Sequence, residues 1–152
     1  MKITKVRTKK GDFCAPVSTS LEAVVSRMQQ AKTKDVAEVV ERNAMVGRLM
    51  EEEGRHRYLL EGADALPYMI FGATFGRGGF EDVRSLTGLL LLDIRCAEGH
   101  RQVTEMRRKV SQVPYTLLAF AGISGVTLKV VVRVDYRKEG DIGERDIADY
   151  LA

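Results

Sequence analysis

Asp93 and Arg95 sit near the end of the stretch GLLLLDIRCAEG, residues 88–99, and the two side chains argue for opposite chemistries. A carboxylate where an apolar strand leaves a sheet is a common way to hold a divalent cation. Residues i and i+2 of a strand point to the same side. An acid at 95 would therefore complete a pair able to share two metal ions, as phosphoryl or nucleotidyl transfer requires. The chain has Arg95 instead. A guanidinium repels a cation and suits a phosphate oxygen. Asp93 can be read as a metal ligand, or as a cap or partner of Arg95, and spacing alone leaves both readings open.

Other reactive constellations are missing from the sequence. His56 and His100 stand far apart in sequence and form no metal-ligand motif. The GRGG at 76–79 lacks the lysine and hydroxyl of a phosphate-binding GxxxxGK[ST] loop, so its expected role is turn geometry. No GxSxG elbow is present. Cys14 and Cys96 do not form a CxxC pair and read as reduced thiols. No apolar run reaches the ~18 residues of a membrane span, and no apolar segment follows the basic start. The expectation is a cytoplasmic protein with no membrane partner.

The 152 residues are 45% hydrophobic and 30% charged, ordinary values for one folded domain. The net charge of +3 is modest but unevenly placed. Residues 1–34 carry Lys2, Lys5, Arg7, Lys9, Lys10, Arg27, Lys32 and Lys34 against Asp12 and Glu22. Arg101, Arg107, Arg108 and Lys109 form a second group against Glu105. Such groups suit phosphate, although a charged face is more often simply solvated.

Periodicity supplies the elements that must carry these residues. Residues 2–8 alternate as a short strand and 9–12 read as a turn. Thr19 and Glu22 have capping-box spacing, and Leu21, Val24, Val25 and Met28 form one helical stripe. A second helix is expected over 33–53, stopped by Gly54. The apolar run 66–75 reads as a strand leading into GRGG. Residues 88–94 read as a strand buried on both faces. A helix over 100–112, strands over 115–123 and from Val126 to Asp135, and a last helix over 141–151 complete the chain. The fold class is α+β, in the order βαββα of an RRM-like sheet that lacks its final strand, preceded by a helical N-terminal unit. The whole chain reads as a single domain, with residues 1–64 as that unit and 65–152 as the core.

Three stretches resemble the VirE N-terminal-like, primase-like domain of bacterial mobile-element proteins, in the primase-polymerase superfamily. They are LPYMIFGATFGRGGFEDVRSLTGLLLLDI (66–94), VPYTLLAFAGISG (113–125) and LKVVVRV (128–134). The resemblance implies an RRM-like primase core with a catalytic acid at Asp93 and Mg2+ or Mn2+ as its cofactor. Arg95 stands where the second acid would be, so the resemblance implies a vestigial site. Ser124 and Gly125 match the turn, and Lys129 a basic position that contacts nucleotide phosphates. Arg95, Lys129 and Arg133 would then form a positive face. The implied function is binding of single-stranded nucleic acid or nucleotide in mobile-element replication, without full nucleotidyl transfer. Implied partners are a helicase-like region or other mobile-element proteins. An active metal-dependent primase and a protein-interaction module retaining only the fold are the alternatives.

Overall fold

The computed structural model describes residues 1–9, 12–30, 67–122, 125–140 and 142–151. The helix expected over 33–53 lies outside the described residues, as do Ser124 and His56. The chain forms two compact units, whose described residues fall at 1–30, 67–90 and 134–151 in one and at 91–133 in the other. The class is α+β, with three antiparallel three-stranded sheets and three helices among the described residues.

In the first unit, β1 (Lys2–Val6) is the middle strand of a sheet, between β4 (Val17–Ser20) and β5 (Tyr68–Ile70). The small hairpin β2 (Thr8–Lys9) and β3 (Asp12–Phe13) follows β1. Ile3, Thr4 and Val6 are buried, and Thr4 satisfies its hydroxyl by donating to the Ala73 carbonyl at 2.9 Å. Helix α1 (Leu21–Gln30) is capped by Ser20, whose hydroxyl oxygen accepts the Ala23 N–H at 3.0 Å. The N-cap is thus Ser20 rather than Thr19, and in place of a capping box Glu22 accepts the Met1 amino group at 2.8 Å. Of the expected stripe only Val24 is buried.

The apolar run 66–75 is two strands rather than one. It breaks at Phe71 and Gly72, so that β5 joins β1 while β6 (Ala73–Phe75) pairs with β7 (Val83–Leu86). Close packing explains the break: a Cβ at Gly72 would lie 3.2 Å from both the Leu89 carbonyl and the Tyr150 ring. β11 (Lys138–Glu139) completes the β6–β7 sheet. Neither β7 nor β11 has the apolar alternation that would reveal it in sequence.

Helix α3 (Glu144–Leu151) belongs to this same unit, not to an RRM-like sheet. The buried Tyr150 anchors it by donating its hydroxyl to the Leu89 carbonyl. Burial raises the Tyr150 pKa above its ordinary value. At the other end of α3, Asp146 takes the Lys138 ammonium at 2.6 Å and the Gly143 N–H at 3.0 Å.

The second unit is built on β8 (Leu89–Arg95), α2 (His100–Val110), β9 (Thr116–Ala121) and β10 (Thr127–Arg133). β10 lies between β8 and β9, so the βαβ crossover leaves room for a third strand in its middle. Val103 of α2 is buried, with Cys96 and Met106 in sulfur contact at 4.0 Å. β8 departs from expectation: among the described residues it is an edge strand, and Leu91 and Leu92 are 40% and 44% exposed. Four leucines in a row reflect an edge strand with apolar residues on both sides, not burial on both faces.

Two predictions concern the first unit. Tyr150→Phe leaves the buried Leu89 carbonyl without its donor, and should cost about 1–3 kcal/mol in chemical denaturation. The Lys138 ammonium and the Gly143 amide hold the Asp146 carboxyl below its ordinary pKa. A depressed folded-state pKa adds stability that is present above the unfolded carboxylate pKa and lost as pH falls through the folded one. Acid titration of the wild type should therefore show a loss that Asp146→Asn lacks.

Candidate functional site

Lys129 lies near the middle of the central strand of the second unit's sheet. Across β9 its partner is Phe120. On the β8 side, the Cys96 N–H donates to the Val126 carbonyl and the Val134 N–H to the Gly88 carbonyl, both at 2.9 Å. Both bonds fit one antiparallel register, and that register sets Asp93 opposite Lys129 at a non-hydrogen-bonded pair. Side chains approach most closely at such pairs. Lys129 Nζ accordingly donates to Asp93 Oδ2 in an ion pair.

The pair is open to solvent, with the Lys129 and Asp93 side chains 27% and 53% exposed. Exposed ion pairs contribute about 0–1 kcal/mol. An arriving anion can therefore take Lys129 from Asp93 at small cost. Arg95, exposed and two residues along β8, falls on the same face as Asp93. Arg133 is also exposed, but four residues along β10 from Lys129, or about 13 Å at the usual strand rise. Asp93, Arg95 and Lys129 form one cluster, and Arg133 stands apart from it.

Gly125 stands in the turn that follows β9. Its φ is +78°, a conformation that favours glycine, and its N–H donates to the Gly122 carbonyl at 2.9 Å. Its amide closes the turn between β9 and β10. Gly122 is a position that sequence reading passed over. A Cβ there would meet Thr127 Oγ1 at 2.0 Å and Lys129 Cε at 3.5 Å. The missing side chain lets Thr127 and the Lys129 stem lie across the end of β9. The signal in the sequence was a glycine directly after the apolar run TLLAFA, together with the alternation that turns Phe120 to the Lys129 face.

These residues do not fit a two-metal centre. The single carboxylate is already engaged by an ammonium, with a guanidinium two residues away. Among the described residues no three His, Cys, Asp or Glu side chains gather as a metal-binding group. No described helix is long and apolar enough to cross a membrane.

Residues 61–151 match the model of the family described as BT4734-like, N-terminal domain. The chain belongs to that family. The match covers more than half of the chain, including β5 to β11, α2, α3 and every candidate site residue. It corrects the resemblance to the VirE N-terminal-like, primase-like family, whose expected motifs in 66–134 fall within the BT4734-like match. No curated protein and no solved structure matches the chain.

The site geometry separates two variants. Gly122→Ala forces Thr127 and Lys129 to move, and should cost roughly 1–3 kcal/mol as an overpacked position. Asp93→Ala should change stability by less than about 1 kcal/mol. Urea denaturation of the two proteins measures the difference.

Proposed function

We propose that the exposed face of the β8–β10–β9 sheet binds the phosphates of a nucleotide or of single-stranded nucleic acid, without carrying out nucleotidyl transfer. The observation that carries this reading is the position of Lys129. It stands on the middle strand of its sheet, partly exposed and held by one exposed carboxylate, with Arg95 on the neighbouring strand. A phosphate would replace the Asp93 carboxylate as the acceptor and find the Arg95 guanidinium on the same face. Guanidinium and ammonium groups are both suited to phosphate oxygens, the first as a planar fork and the second as a point charge.

Asp93 acts in this reading as an internal competitor. It keeps the Lys129 side chain extended over the sheet between encounters and gives it up when a stronger anion arrives. Phe120, directly across from Lys129, offers a partly exposed ring beside the phosphate position. RNA-binding sheets of RRM type use a ring so placed for base stacking, and the β8–α2–β9–β10 order supports the comparison. Exposed Leu91, Leu92, Tyr115 and Leu117 favour a second reading, in which this unit docks another protein.

Fluorescence anisotropy of a labelled single-stranded oligonucleotide, across a salt series, tests the proposal. Lys129→Ala should weaken binding and lower the salt slope by about one. Asp93→Asn should bind at least as tightly as wild type, because the competitor is gone. Loss of binding in Asp93→Asn, with manganese dependence in the wild type, would instead mark Asp93 as a metal ligand. Binding unchanged by Lys129→Ala would overturn the proposal. Self-association or protein capture lost on Leu91→Asp, without oligonucleotide binding, would favour the docking reading.

A further inference from the structure

The sheet of the second unit ends on β8, which among the described residues has a neighbouring strand on one side only. The bonds that join it to the β10 side run from Gly88 and from Cys96. In an antiparallel ladder, residues that bond towards one neighbour alternate with residues that bond towards the other. Leu90, Leu92 and Ile94 therefore turn their backbone groups to β10. Leu89, Leu91, Asp93 and Arg95 direct theirs to the outer edge. At Leu89 that edge is already taken, because its N–H donates to Thr87 Oγ1 at 3.2 Å and its carbonyl accepts the Tyr150 hydroxyl. The stretch that can meet a further strand begins at Leu91.

Edge strands are commonly guarded by proline or by charges of one sign, and the sequence LLLLDIR has neither guard. Leu91 and Leu92 are exposed on its two faces. Its charges are of opposite sign and two residues apart, so an antiparallel copy of the same strand can satisfy both. Charge also selects the register. Residues that bond outwards must stand opposite one another, so Asp93 can face Leu91, Asp93 or Arg95 of the copy. Facing Leu91 sets a carboxylate against an apolar side chain. Facing Asp93 sets like charges directly opposite, which is destabilising. Facing Arg95 gives two ion pairs about a twofold axis at Ile94. Lys129 binds Oδ2 of Asp93, and a carboxylate with two oxygens accepts a second cation. The Arg95 guanidinium has five N–H donors and can add a carboxylate to its contacts. On the other face Ile94 meets its own copy at the axis, with exposed Leu92 beside it.

We propose that β8 pairs with β8 of a second copy of this chain, antiparallel about Ile94, joining two three-stranded sheets into one of six strands. Each Asp93 then meets the partner's Arg95. The pairing uses the strand edge and does not depend on phosphate binding at Lys129. Sedimentation velocity of the whole chain, at concentrations up to about 100 μM, should show a species of twice the mass of one chain. Arg95→Asp and Asp93→Arg should each weaken self-association roughly tenfold, because each sets like charges opposite one another. An equimolar mixture of the two variants should regain association, since one strand then carries two acids and the other two bases. Amide exchange at Asp93 in the wild type should slow as concentration rises, because the pairing gives its N–H an acceptor. A wild type that stays monomeric over this range overturns the proposal, even if a variant fails to fold. So does association that folded Arg95→Asp leaves unchanged, or exchange at Asp93 that does not respond to concentration in an associating wild type.

Discussion

Leu128 and Val130, on the face of β10 opposite Lys129, leave water almost completely, and β10 is the middle strand of its sheet. The chemistry of the second unit depends on that constraint. A slip of one residue in the pairing would exchange the two faces of the strand. It would take Lys129 off the Asp93 face and put Val130 opposite Asp93. The ion pair is therefore a product of apolar packing. Hydrophobic side chains set the register, and the register brings a carboxylate and an ammonium together.

The conflict between Asp93 and Arg95 takes a definite form once that register is known. Neither residue acts alone on β8, because Lys129 from β10 already answers the carboxylate. An ammonium on the carboxylate is unfavourable for a metal pair, and a phosphate could take the place of that carboxylate. The first unit has a comparable logic with a different outcome. There Asp82 answers Arg84 and the amide of Gly78, and its charge serves to shape a turn.

Much of the second unit is legible in the sequence, because α2, β9 and β10 have regular apolar patterns and clear stops at Pro114 and Gly125. The edge position of β8 is not, since an apolar run reads alike whether a neighbour covers one side or both. The break of 66–75 into β5 and β6 depends on Tyr150, nearly eighty residues away, packing over Gly72. Local pattern cannot carry such a distant cause. The same holds for α3, whose period is helical but whose place in the first unit follows from one tyrosine hydroxyl. Asp93 and Arg95 were legible as candidates by residue type and Lys129 only through the resemblance, whereas the pairing of Asp93 with Lys129 required the strand order. Gly122 was silent because glycine marks both ordinary turns and close approaches.

The placement of the two thiols has a kinetic consequence. Cys96 is buried in the second unit against Met106, while Cys14 is half-buried in the first. A thiol reacts only when reagent reaches it, so alkylation of Cys96 is gated by opening of the strand end and helix that cover it. Cys14 belongs to the other unit and keeps its own time. The chain thus holds one chemical clock in each unit, and the ratio of their rates reads how independently the two units breathe.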